Sequence, residues 1–125
     1  MKKSIIIPNA PKPIAPYSPA ILKDNTLYIS GQIPLNPATG ELVNDSIANA
    51  TQQVMENIKA LIKAAGFEMS DIVKCSIFMT SMDYYGEIND VYARYFKEIP
   101  PAREAVAVKT LPRNVSVEIS CIAMR

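Results

Sequence analysis

A few side chains in this sequence stand where they could act on a small molecule. Arg103 follows Pro100-Pro101-Ala102 at the mouth of a β-rich run. Its guanidinium is always charged, and its planar fork matches a carboxylate through two parallel hydrogen bonds. A surface salt bridge is the other use of such a residue. Glu118 is the only acid in an otherwise uncharged stretch from Val115 to Met124. A carboxylate there is costly to desolvate unless it is paired or serves a reaction. An ion pair with Lys109 or Arg113 would also account for it. Tyr17 sits in a loop framed by Pro8, Pro11, Pro13, Pro16 and Pro19. Proline continues neither a helix nor a central strand, and a stiff loop can present a side chain to a site. Ser30-Gly31-Gln32 ends a strand at a glycine, where backbone can approach a ligand closely. An ordinary strand-ending turn is the alternative. Ala105 and Ala107 leave room beside Arg103, which suits a small ligand. Asn89, on a helix face away from the apolar stripe, reads by itself as solvated surface.

The residue types that are missing narrow the chemistry. The chain has no histidine, so Ser-His-Asp and Cys-His pairs and His-ligated zinc are excluded. Cys75 and Cys121 are far apart in sequence, form no CxxC motif and sit in apolar runs. They read as buried, reduced thiols. No metal site and no cofactor are expected. Catalysis would come from Arg, Lys, Asp, Glu, Tyr, backbone groups and water.

The elements that must position these residues follow from pattern. Ala20–Lys23 and Thr26–Ser30 read as short strands around Asp24-Asn25. Pro34, Asn36-Pro37 and Thr39-Gly40 mark a long turn region. Ile47, Ala50, Val54, Ile58, Leu61 and Ala65 step by three or four, one face of a helix of about five turns. Asp45 or Ser46 can cap it, and Gly66 can end it in a left-handed conformation. Residues 72–80 read as a strand. Asp83 is placed to cap a second helix, with Tyr85, Ile88, Tyr92, Tyr95 and Phe96 on a core-facing side. Arg103–Thr110 and Val115–Met124 flank Leu111-Pro112-Arg113-Asn114 and read as a β-hairpin. With an even loop, Arg103, Ala105 and Ala107 would face the same way as Glu118 and line one pocket wall. The reading is an α+β domain, a mixed sheet with two helices on one face. Neither face of the last strand is fully polar, so self-association is expected to cover the other side.

The 125 residues fit one domain, 1–125; 49% are apolar, 20% are charged and the formal charge is +1. That composition supports a core and offers no basic footprint for nucleic acid. The run Ile5-Ile6-Ile7, stopped by Pro8, is too short for a secretory or membrane segment. A cytoplasmic protein without membrane partners is expected.

The segment Pro101-Ala102-Arg103-Glu104-Ala105-Val106-Ala107-Val108, with Leu111-Pro112 and Val117-Glu118-Ile119, resembles the C-terminal signature of the reactive intermediate deaminase (Rid, YjgF-like) family. Ala15-Pro16-Tyr17-Ser18-Pro19-Ala20, Ser30-Gly31-Gln32-Ile33-Pro34, Asn36-Pro37-Ala38-Thr39-Gly40 and Ala64-Ala65-Gly66 before Asp71-Ile72-Val73-Lys74 agree with it. The resemblance implies a chorismate-mutase-like α+β fold with a six-stranded mixed sheet. It also implies a homotrimer with sites between subunits, and cofactor-free hydrolysis of 2-imino and 2-enamino acids (2-aminoacrylate, 2-aminocrotonate) to 2-oxo acids and ammonia. On that likeness Arg103 binds the substrate carboxylate, Glu118 stands near the attacking water, and Tyr17 closes the pocket from a neighbouring subunit. Ser30, Gly31 and Asn89 also fall at the site. Ala105 stands where the family often has cysteine, which argues against a thiol nucleophile, although its backbone carbonyl could still touch the imine nitrogen or the water. Ala15 replaces a common glycine before Pro16-Tyr17. Competing expectations are a non-catalytic carboxylate-binding or chaperone-like trimer and a translation-inhibiting endoribonuclease.

Overall fold

A computed structural model describes all of residues 1–125. In chain order the elements are β1 (Lys3–Ile5), β2 (Ala20–Lys23), β3 (Thr26–Gln32), α1 (Ile47–Ala64), β4 (Ile72–Met79), α2 (Tyr85–Ala93), β5 (Ala102–Ala107) and β6 (Val117–Met124). The six strands form one sheet in the order β1-β2-β3-β6-β4-β5. All neighbours are antiparallel except β4 and β5, which run parallel. The expected α+β class and mixed sheet are therefore observed. The strand β1, which is too short to show a pattern, adds an edge that sequence reasoning did not detect.

The first helix forms as its sequence dictates. Ser46 is extended and its side chain accepts from the Asn49 amide, so it, rather than Asp45, is the cap. Gly66 follows the helix with φ 78°, a left-handed conformation that glycine adopts without penalty. The apolar face buries Val54, Met55, Ile58, Leu61 and Ile62. Each such side chain contributes about 1.5–3 kcal/mol relative to exposure. This face lies on β6 and β3, and α2 packs beside α1. Ahead of α2, Ser81 accepts from the Asp83 amide and opens a 3-10 turn over Met82–Tyr84. Asp83 was the expected cap; it lies inside that turn instead, because the hydroxyl two residues earlier takes the free amide.

The expected hairpin of Arg103–Thr110 with Val115–Met124 is not formed. The turn is real: Pro112–Asn114 form a 3-10 turn in which Arg113 and Asn114 have φ 56° and 58°. But β5 and β6 are not neighbours. Between them lies β4, parallel to β5 and antiparallel to β6. Turn residues report that the chain reverses, not which strand receives it. The link from Val108 to Ser116 is long enough to pass over one strand, a distance of roughly 10 Å.

The pairing settles the faces. Cys75, Ile77 and Met79 stand opposite Cys121, Ile119 and Val117, and Cys75 and Ile77 also stand opposite Arg103 and Ala105. This is the helix-covered face, and its apolar members are buried. The two thiols meet there, with the sulfurs 3.3 Å apart and both cysteines free and buried. The other face carries Tyr28, Ile122, Ser76, Ser120, Phe78, Glu118 and Val106 by the same register. No helix covers it, and Tyr28, Val106 and Met124 remain 50%, 42% and 52% exposed.

One buried polar side chain fastens the loop after β3 to α1. Asn57 is buried, and its amide donates to the carbonyls of Ile33 at 3.2 Å and Leu35 at 2.8 Å. Its oxygen accepts from Gln53 at 2.9 Å. Asn57→Ala leaves two carbonyls without that donor and is expected to cost about 1–3 kcal/mol. Urea unfolding of the variant beside the parent checks this.

Candidate functional site

The candidate residues fall into two groups on opposite faces of the sheet. Arg103, Ala105 and Asn89 lie on the helix side. Arg103 Nη2 donates to the Tyr85 hydroxyl at 2.9 Å. The guanidinium carbon lies 5.0 Å from the centre of the Tyr92 ring and 5.6 Å from that of Tyr85. A guanidinium within about 6 Å of an aromatic centroid is attracted by the ring quadrupole. Arg103 makes no ion pair; the chain's one salt bridge joins Lys74 and Glu104 at 2.7 Å. The surface salt bridge considered for Arg103 is therefore absent, and most of its five donors have no protein partner. Ala105 is half-buried against the core beside Ile77. Asn89 stands one helical turn after Tyr85. Together with the Arg103 charge, the Asn89 side chain lowers the Tyr85 phenol below its ordinary value.

Tyr92 and Cys75 lie beneath this group. The Tyr92 hydroxyl is buried without a hydrogen-bonded oxygen or nitrogen. Burial, and then the neighbouring Cys75, push its phenol far above the ordinary range. The phenol is thus neutral at any physiological pH and serves as a fixed floor under the guanidinium. Cys121 is raised by its contact with Cys75 and by burial, while Cys75 is lowered chiefly by its contact with Cys121. Neither thiol lies on the surface.

Tyr17, Ser30, Gly31 and Glu118 form the second group. Ser30 Oγ donates to the Ser18 carbonyl at 2.6 Å, and its amide donates to the Pro19 carbonyl at 2.9 Å. The serine therefore pins the proline loop to β3 and so positions Tyr17. A cleft of about 320 Å³ is lined by Tyr17, Gly31, Gln32, Ile33 and Arg113, among others. Gly31 lies where the register between β3 and β6 shifts, and it touches Glu118. A methyl group at position 31 would stand 2.6 Å from Glu118 Cδ and 2.7 Å from its Oε2. Glycine here admits the carboxylate against bare backbone. Glu118 has no ion pair with Lys109 or Arg113, and burial raises its pKa above the ordinary carboxylate value.

The shared pocket wall expected for Arg103 and Glu118 is not present within one chain. Arg103 stands opposite Cys75, while Glu118 stands opposite Phe78, three residues further along β4. An odd offset on one strand puts the two side chains on opposite faces. Sequence reasoning also passed over Tyr85 as anything but core; its place two positions after a helix-opening aspartate carried no signal for an arginine on a distant strand. A further cleft of about 640 Å³, between Lys59, Met69, Arg94 and Phe96, contains none of the candidates. No cluster of three or more His, Cys, Asp or Glu side chains is arranged to hold a metal ion.

Residues 7–125 match the family described as Endoribonuclease L-PSP. A RutC family protein of Pyrococcus horikoshii is 49% identical over 125 residues, covering 100% of this chain and 99% of that protein. The crystal structure of the Rid family protein YyfA from Yersinia pestis superposes with a TM-score of 0.95 at 47% identity, covering 100% of both chains. This chain belongs to the Rid family. Within that family, a 2-iminobutanoate/2-iminopropanoate deaminase of Dermatophagoides farinae is 44% identical over 123 residues, covering 98% of this chain and 96% of its own. The family resemblance drawn from the sequence segments thus holds over the whole chain, and so does the α+β fold.

Two outcomes follow from the Gly31–Glu118 contact. Gly31→Ala is expected to shift the flexible end of Glu118 toward solvent and leave stability within about 1 kcal/mol. In a carboxyl NMR titration Glu118 should then return toward the ordinary carboxylate value. In the parent, the folded state holds the Glu118 proton more tightly than the unfolded state does. Stability is therefore lost as pH rises from the unfolded carboxylate pKa through the raised folded one. Glu118→Gln removes that loss. It should be the more stable protein at about pH 7 and equal to the parent at about pH 3.5, where both states of the parent are protonated.

Proposed function

We propose that this chain hydrolyses 2-imino and 2-enamino acids, such as 2-aminoacrylate and 2-aminocrotonate, to 2-oxo acids and ammonia. The observation that carries the reading is Arg103 itself. It is held between two tyrosines on an edge strand, without a carboxylate partner and with most of its fork open. That is a receptor for a small carboxylate. The deaminase named among its relatives supports the choice of substrate.

The arrangement supports a site assembled between copies. Arg103 and Glu118 face opposite sides of one sheet. A neighbour packed on the uncovered face would bring its own Glu118, Gly31 and Tyr17 toward the β5 edge. A homotrimer is the assembly this reading adopts, and the exposed Tyr28, Val106 and Met124 are the apolar surface it would cover.

Hydrolysis of a protonated imine needs an oriented water, an acceptor for its proton and a donor for the leaving nitrogen. Arg103 pins the carboxylate and so fixes C2. Glu118, made more basic by desolvation, holds the water and takes its proton as oxygen bonds to C2. Glu118 returns that proton to the carbinolamine nitrogen, the C2–N bond breaks to release ammonia, and the C2 hydroxyl gives up its own proton to the departing ammonia as the C=O bond forms, leaving Glu118 ionised as it began. No covalent intermediate on the protein is required. An RNA-cleaving role, suggested by the family description, has less to draw on: there is no histidine, and the formal charge is +1.

The test uses imines made in situ by an amino-acid oxidase, with semicarbazide trapping the free imine. The parent should compete with the trap and release ammonia and oxo acid. Arg103→Ala should lose about 100-fold or more in kcat/KM, the scale expected when a charge-assisted double hydrogen bond is removed. An Arg103→Ala variant as fast as the parent would refute the assignment.

A further inference from the structure

Tyr85 belongs to no motif and was read as core, yet it is 37% exposed and its oxygen is the one hydrogen-bond acceptor that Arg103 has. The two tyrosines flanking the guanidinium are not equivalent. Tyr92 is buried and 5.0 Å away, and it closes the inner side. Tyr85 is on the outer side, 5.6 Å away, with its hydroxyl at the edge of the fork. A phenol oxygen accepts through its lone pairs and donates through one hydrogen. The Tyr85 oxygen already accepts from Arg103 Nη2, so its own hydrogen must point away from that nitrogen. The O–H is thus turned out beside the guanidinium edge, where an anion held by Arg103 would place an oxygen.

We infer that Tyr85 is a binding residue of the same site, giving a third hydrogen bond to the carboxylate that Arg103 holds and fixing the plane of the guanidinium before the substrate arrives. The inference rests on the reading of Arg103 as the carboxylate receptor. The site then selects small monocarboxylates by three donors in a fixed fork, not by one flexible charge.

Tyr85→Phe separates the ring from the hydroxyl, because it keeps the aromatic face over Arg103 and removes only the donor. On a partly exposed helix position it should fold as the parent does, which thermal unfolding checks. The expected result is a roughly ten-fold rise in KM for the imino acid with kcat within two-fold, the size of one hydrogen bond to a charged group. The dissociation constant for 2-oxobutanoate, measured by calorimetry as a stable carboxylate probe, should rise by the same factor. If Tyr85→Phe equals the parent in KM and in 2-oxobutanoate binding while Arg103→Ala has lost both, the inference about Tyr85 is overturned and the arginine reading stands. If Tyr85→Phe loses kcat at unchanged KM, the hydroxyl acts at the reacting carbon and the carboxylate assignment is overturned. If Arg103→Ala binds 2-oxobutanoate as the parent does, the underlying reading fails with it.

Discussion

The ladder that β4 makes with β6 on one side and β5 on the other sets the direction of every polar side chain in this sheet. Cys75 stands opposite both Cys121 and Arg103, and Phe78 stands opposite both Glu118 and Val106. A slip of one residue in either pairing would exchange the faces. Arg103 would then leave the tyrosines, and Glu118 would be driven into the core under the helices. The register is held by the apolar set it buries, Cys75, Ile77, Met79, Ile119, Cys121 and Val117, all of them on the helix side. The hydrophobic core is thus also what aims the chemistry.

Arg103 illustrates how an unpaired charge is tolerated at such a place. Its fork has a hydroxyl for one donor and two aromatic faces for its π surface. Cation–π contacts contribute from about 0.5 to 2 kcal/mol as the pair is desolvated. A carboxylate from the chain itself would hold the arginine more firmly and would also fill the place of a ligand. The nearest acid in sequence, Glu104, faces the other way and is taken by Lys74 and Ser76. This division, with one strand carrying an arginine inward and a glutamate outward on adjacent residues, keeps the fork free.

Glu118 is governed by a different constraint, close approach. It lies against Gly31 because that position has no side chain, and the shift in register between β3 and β6 falls at the same place. Burial without a cation raises its pKa, which is costly for a structural carboxylate and useful for one that must accept a proton. Ser30 tethers the proline loop at the same strand end, so the second half of the site is built around the last turn of β3. Under the proposed assembly, each complete site takes Arg103, Tyr85 and Asn89 from one copy and the Gly31 group from another.

Much of this was legible in the residues alone. The helix α1 with a cap at Asp45 or Ser46 and its glycine exit, the short pair β2 and β3, the α+β class and the family resemblance all rest on local spacing or on segments read in order. These are determined by interactions within a few residues: periodic burial, an amide that needs an acceptor, a φ that favours glycine. The pairing of β5 with β4 was not legible, because the turn at Leu111–Asn114 specifies a reversal and says nothing about the partner. The meeting of Cys75 with Cys121, of Arg103 with Tyr85 and of Gly31 with Glu118 was hidden for the same reason. Each joins residues on different elements, and their contact depends on strand order and register. Those are chosen by the collective burial of two helices on one sheet face. The sequence by itself determined which side chains were available for chemistry; the tertiary structure alone decided which of them face each other.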